Sequence, residues 1–257
     1  MKENLAFLKA DALSKLSAFI DSLDPKRAQI LSYWIRDYVR FLEKEETFDP
    51  QKLIRYKRGS VVKAHLGYRI GSEEGGLHYA VVIDTQNAVK SQTVTVVPLT
   101  SVKPTTDLNQ LHPSRLYIGD EIYKSLNVKL DSTIRDAECV HQMLKGKLST
   151  LETDLLELKG SSTDIKTKIT TLRVSIDILR KEIETWEKKK QNARKMEDEI
   201  SRMKRGSIAL VSQITTISKI RIYDPLYPSD SLSNIRISDD ALDKIDDKII
   251  SLFTKSK

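Results

Sequence analysis

His78 reads either as an ordinary half-buried strand residue or as the side chain whose type and setting best suit proton chemistry. It follows the Gly75-Gly76 pair and opens the run His78-Tyr79-Ala80-Val81-Val82-Ile83. That places it where a loop meets a predicted strand. Imidazole titrates near neutrality, so a histidine held there can either take a proton or give one. Glu73 and Glu74 lie in the preceding glycine-flanked stretch, residues 71–76, and read as residues that order the loop, with no catalytic part. The other histidines, His65, His112 and His141, have weaker settings. No pair of them has zinc-site spacing, and the single cysteine, Cys139, cannot build a structural zinc site. Cys139 lies in a helical pattern and reads as a packing residue. The 71–76 stretch is not a phosphate-binding P-loop, because no Gly-Lys-Ser/Thr follows and the next element is a strand. No cofactor and no metal are expected.

These residues need a scaffold, and hydrophobic spacing divides the chain into four blocks: 1–50, 51–118, 119–205 and 206–257. The first is helical. Leu5, Leu8, Leu16, Phe19, Ile20 and Leu23 stripe one helix, and Asp24-Pro25 restarts the chain as a second, with Asp as N-cap and Pro at the first helical position. The second block changes to short β-branched runs, 58–67, 78–85 and 93–100, which predict three strands. In the third, two proline-free stretches, 120–159 and 163–204, flank Gly160-Ser161-Ser162. Ile165, Ile169, Leu172, Ile176, Leu179, Ile183 and Trp186 step by four and three, a heptad seam. Leu126, Leu130, Ala137, Val140, Leu144, Leu148, Leu151, Leu155 and Leu158 supply a looser seam on the first arm. Arms of nearly equal length around a polar turn predict an antiparallel hairpin, each arm about 60 Å long. The fourth block predicts strands over 206–214 and 217–223 and a last helix capped by Ser238, with Leu242, Ile245, Ile249, Leu252 and Phe253 on its apolar side.

Composition bounds the class. The 257 residues carry 43 basic and 36 acidic side chains, a net charge of +7, which is compatible with nucleic acid. No apolar run approaches the roughly 18 residues of a membrane span, and the charged first sixteen residues predict no secretory signal. One cysteine fits a reducing cytoplasm.

Three stretches together resemble the MazF/PemK/Kid toxin family. They are Arg58-Gly59-Ser60-Val61-Val62 with residues 71–76 and Tyr79-Ala80-Val81-Val82-Ile83; then Val96-Val97-Pro98-Leu99-Thr100-Ser101; then Gln213-Ile214-Thr215-Thr216-Ile217-Ser218-Lys219. The resemblance covers about 100 residues. It implies a small SH3-like β-barrel in a homodimeric endoribonuclease; with the inserted antiparallel coiled-coil hairpin and extra N-terminal helices read above, which lie outside the usual short toxin, the fold class is α+β. It implies cleavage of single-stranded RNA without metal, leaving 2′,3′-cyclic phosphate and 5′-hydroxyl ends, inhibition by a cognate antitoxin, and cytoplasmic action with no membrane partner. Two departures stand out. The family arginine after the Gly-Gly pair is His78 here, and a second family arginine is Thr215. The family threonine at the end of the third strand is kept as Thr100.

On this reading His78 and Thr100 are catalytic. Ser101, Arg58, Gln213, Thr215, Lys219 and Arg221 bind RNA, with Ser101 a phosphate ligand beside Thr100. Arg58, Lys219 and Arg221 supply the charge that the missing arginines leave, together with Lys57. Lys219 and Arg221 alternate with Ile220 and Ile222, so both are expected on the outer face of one strand. The competing reading is a non-catalytic interaction protein, or a toxin acting on gyrase through the same barrel, since both family arginines are absent. The N-terminal helices fit either a built-in inhibitor or a dimerisation element.

Overall fold

The computed structural model describes residues 2–158 and 165–255. The Gly160-Ser161-Ser162 turn lies outside the described residues. Two helices, α1 (Lys2–Asp21) and α2 (Pro25–Glu45), open the chain. The Asp24 carboxylate accepts the Lys26 and Arg27 N–H groups and Pro25 needs no partner, so the break between the helices is set by these two residues. Strands β1 (Val61–His65), β2 (Leu77–Val82), β3 (Thr93–Ser101) and β4 (Arg115–Tyr117) follow. Then come α3 (Glu121–Leu158), α4 (Ile165–Arg202), β5 (Ser207–Leu210), β6 (Thr215–Ser218), β7 (Ile222–Asp224) and α5 (Asp239–Phe253).

All strand pairings are antiparallel. The sheet runs β4-β5-β3-β2-β1-β7, with β6 on the outer half of β3. The strands of the expected barrel form one seven-stranded antiparallel sheet, and no pairing joins its end strands β4 and β7 among the described residues. The three-residue β4 was absent from the expected strands; it exists because Arg115 and Tyr117 pair with Leu210 and Ile208 across the hairpin insertion. The predicted strands 206–214 and 217–223 are interrupted by one-turn 3-10 helices at Val211–Gln213 and Lys219–Arg221.

Strand alternation feeds two cores. Val61, Val81, Val97 and Leu99 pack against Ile122 and Leu126 of α3 and against Leu242 and Ile245 of α5. Their neighbours Val62, Ala80, Val82 and Val96 face the other side, with Tyr56, Leu66, Ile217 and Ile222. The α5 cap forms as expected, with Ser238 Oγ accepting the Ala241 N–H. A Glu121 carboxylate oxygen accepts the Ser238 N–H at 2.7 Å, tying the starts of α3 and α5 together.

The hairpin is present. Leu144 and Leu151 pack on Leu172 and Leu179, flanked by Val140 and Trp186, and Lys147 pairs with Glu182. The heptad seam is only half covered. Leu172 and Leu179 are buried, whereas Ile169, Ile176 and Ile183 are about 40% exposed (41%, 39% and 37%). Cys139 is exposed, not a packing residue. No helix among the described residues is long and apolar enough to cross a membrane.

The two N-terminal helices differ. Helix α2 docks on the sheet through Trp34, which stacks on His65, and Phe41, which meets Tyr223 edge-on; Leu31 and Phe41 are buried. Helix α1 has no buried residue among its described side chains, and Leu5, Phe7 and Leu8 are 69%, 73% and 61% exposed.

Candidate active site

The loop before β2 is held by backbone geometry that only glycine permits. The Gly76 N–H donates to Gly67 O and the Leu66 N–H to Gly76 O, both at 2.7 Å. Gly76 takes the left-handed region (φ +87°), and a Cβ on Gly75 would lie 2.7 Å from the Gly67 carbonyl oxygen. These contacts fix where residue 78 enters the sheet, opposite Ala64 of β1.

His78 is half-buried and meets acceptors at both ring nitrogens. Nδ1 lies 3.2 Å from the Leu99 carbonyl oxygen, and Nε2 lies 3.0 Å from Glu74 Oε1. A carbonyl only accepts and an ionised carboxylate only accepts, so both contacts are satisfied when the ring carries a proton on each nitrogen. Glu74 is positioned in turn by Gln213, whose Oε1 accepts the Glu74 N–H at 3.2 Å while Nε2 donates to Ser72 O at 3.4 Å. The role of Gln213 is therefore to clamp the loop that presents Glu74.

Thr100 follows the residue whose carbonyl holds His78. Ala80 pairs with Pro98, and two-residue alternation carried on from there sets His78 and Thr100 on one face of the sheet. Thr100 is half-buried and Ser101 exposed, the latter paired with Ser207 at the end of β5. Thr215 opens β6 opposite Val96, farther along β3.

Three expected RNA ligands are engaged elsewhere. Arg58 grips Asp246 of α5 and the Ile83 carbonyl. Lys219 is not on an outer strand face: it is 2% exposed, with Nζ donating to Ala88 O at 3.1 Å. Arg221 is half-buried, its Nε donating to His65 O at 2.9 Å and its guanidinium over Trp34. The 3-10 turn at Lys219–Arg221 breaks the alternation on which the outward placement depended.

Glu74 is the site residue that sequence reasoning missed. Its signal was the spacing to His78: four residues apart across a Gly-Gly turn, a carboxylate and an imidazole can meet. His65 lies nearby, stacked at 4.5 Å on Trp34, with Nδ1 accepting the Gly67 N–H at 3.0 Å. Burial holds its pKa below the usual histidine range. Asp37 opposes this, and Arg221 and then His78 add to it. His65 is thus a neutral acceptor and stacking surface beside a polar pair. Among the described residues no three His, Cys, Asp or Glu side chains group so as to hold a metal ion.

No curated protein matches the chain. Residues 57–157 match a protein family described as PemK-like, MazF-like toxin of type II toxin-antitoxin system, a stretch that runs from Lys57 through the site strands into the first hairpin arm. Residues 57–157, which take in the first arm of the long α3–α4 hairpin, therefore form a PemK/MazF-like toxin family domain.

Proposed function

We propose that the protein is the toxin of a type II toxin–antitoxin pair and cuts single-stranded RNA without metal. The observation that carries this reading is the His78–Glu74 contact of 3.0 Å on the toxin-family strand, in place of an arginine. Arginine brings charge but is a poor proton carrier at neutral pH, whereas imidazole and carboxylate can exchange protons with substrate. In the proposed step the 2′-oxygen attacks phosphorus and its proton passes to the Glu74 carboxylate. The bond from phosphorus to the 5′-oxygen breaks, and His78 gives that oxygen a proton. The products are a 2′,3′-cyclic phosphate and a 5′-hydroxyl. The phosphate enters between the two groups; His78 rides on a strand and Glu74 on the loop, so the loop side yields. Thr100 and Ser101 donate hydrogen bonds to the phosphate oxygens.

In this reading residues 51–118 and 206–257 form the RNA-cutting scaffold. Residues 119–205 are an inserted hairpin and residues 1–50 an added helical unit. The protein works in the cytoplasm as a homodimer held in check by a cognate antitoxin. The test is RNA cleavage by the purified chain in EDTA, wild type beside His78→Ala, with the ends mapped. Cleavage by wild type alone, leaving 5′-hydroxyl ends, supports the assignment. Equal cleavage by both discards His78, and cleavage by neither folded protein discards the nuclease. The exposed apolar face of α1 favours the second reading, an interaction protein acting through helical contacts, and that reading predicts no cleavage.

A further inference from the structure

A groove of about 530 Å³ runs between α2 and the chain segment that leads to His78. It falls within the size range of small-molecule sites, about 300–1,000 Å³. One wall is Tyr33 and Trp34 of the N-terminal helix. The other is His65, Tyr68, Arg69 and the Gly75–Leu77 backbone. The aromatic wall is already ordered: Trp34 is stacked on His65, Arg221 lies over its ring, and Arg36 sits over the Tyr33 ring 4.9 Å from its centre. Tyr33 itself remains half exposed. Arg69 is held by Leu66 O through Nε, at 2.9 Å, while its Nη1 reaches only an exposed partner, Glu73, at 3.7 Å. Helix α2 carries five basic and three acidic side chains.

We infer that this groove is a nucleobase subsite for single-stranded RNA, in which Tyr33 of α2 stacks on a base flanking the scissile bond and Arg69 takes its phosphate. Flat aromatic faces beside guanidinium groups are the chemistry by which proteins hold unpaired bases, whatever their identity. The groove meets the site along the loop before β2: Glu73 and Gly75 line it, and Glu74 between them reaches His78. A strand of RNA with its phosphate between Glu74 and His78 is therefore led along this loop to the groove. Phosphate displaces Glu73 from Arg69 with little loss, because that pair is long and open to water. The N-terminal helices thereby become part of the substrate platform and not a cover over it. The inference rests on the RNA reading above.

The experiment uses the full chain and a fluorescent single-stranded oligonucleotide with 2′-O-methyl sugars, which cannot be cut. Its binding is followed by anisotropy for wild type, Tyr33→Ala, Tyr33→Phe and Arg69→Ala. Loss of one stacking partner costs up to a hundredfold; for a half-exposed ring we expect about tenfold weaker binding by Tyr33→Ala. Tyr33→Phe keeps the ring and should bind within twofold of wild type. Arg69→Ala should weaken binding and flatten its salt dependence. On cleavable RNA, Tyr33→Ala should raise KM and leave kcat unchanged. Unaltered binding by Tyr33→Ala, or equal loss in the Phe variant, overturns the subsite. So does wild-type protein that binds no RNA but takes a peptide at this groove. Because the probe is not cleaved, the two readings fail separately. Tight, Tyr33-dependent binding with no cleavage of natural RNA sinks the nuclease alone, and normal cleavage with Tyr33-independent binding sinks the groove alone.

Discussion

His78 and Tyr79 are neighbours on one strand and live in opposite chemical worlds. His78 faces the loop side, half open, with its ring spanning a backbone carbonyl and the Glu74 carboxylate. Tyr79 faces the hairpin side, where its hydroxyl donates to Glu199 of α4, and Lys63 of β1 donates to the same carboxylate at 2.6 and 2.9 Å. Burial first, and the Glu199 charge after it, push the Tyr79 hydroxyl well above the ordinary phenol range, so it is a fixed donor. Strand alternation gives the two faces different partners. His78 keeps one partner on a loop, Glu74, and one on a strand, Leu99 O. Tyr79 and Lys63, both half-buried, converge on one carboxylate of α4 and tie the sheet to the hairpin.

The largest effect that could break this contrast is on turnover. His78→Ala should lower RNA cleavage by about 10²–10⁴-fold, with the thermal midpoint nearly unchanged; a large loss of stability would show that His78 is architectural. Next, Glu199→Ala leaves the Lys63 ammonium and the Tyr79 hydroxyl without their shared acceptor, and should cost about 3 kcal/mol in urea unfolding. If stability holds and cleavage collapses instead, the two faces are not separate. Glu74→Gln keeps an oxygen toward His78 but cannot take a proton. A fall in kcat of about tenfold to a hundredfold with KM little changed is expected from single-turnover and steady-state kinetics. Equal activity would demote Glu74 to a loop residue.

The smallest effect concerns Asp224, also on the hairpin side. Burial pushes its pKa up to about 6, the Leu232 N–H opposes this, and the charges of Asp230 and Glu199 add to it. The folded state therefore holds this proton more tightly than the unfolded chain. The resulting stability is full below about pH 4, the ordinary carboxylate value, and is lost as pH rises through 6. Asp224→Asn should raise the thermal midpoint at pH 8 by a few degrees, equivalent to about 1–2 kcal/mol. The gain should vanish near pH 4. An equal gain at both pH values would mean that packing, not charge, is responsible.

How much of this could be read from the chain depended on the range of the pattern. The hairpin was legible because heptads repeat over many turns; what they did not show is that Ile169, Ile176 and Ile183 stay open while Leu172 and Leu179 are covered. The position of His78 was legible because Gly75-Gly76 and the β-branched run are local. Its partner Glu74 was passed over because loop carboxylates carry no periodicity. Lys219 and Arg221 misled for a physical reason: a single 3-10 turn rotates side chains out of two-residue alternation, and it carried a lysine into the core. Arg58 reaches Asp246, a pairing across 188 positions that no local pattern encodes.

The place where the hairpin is rooted has a consequence for how the chain finds its structure. Strand β4 ends just before α3 and β5 begins just after α4, and the two pair directly, Tyr117 with Ile208. Helical hairpins form from local contacts, which are fast to make. Once α3 and α4 have zipped together, the ends of a stretch of about 90 residues are already side by side, and loop-closure entropy for β4–β5 is largely spent. The long insertion then acts as a short tether. Lengthening or shortening both arms by matched heptads should leave the folding rate of the sheet nearly unchanged, while breaking the seam near its base should slow it.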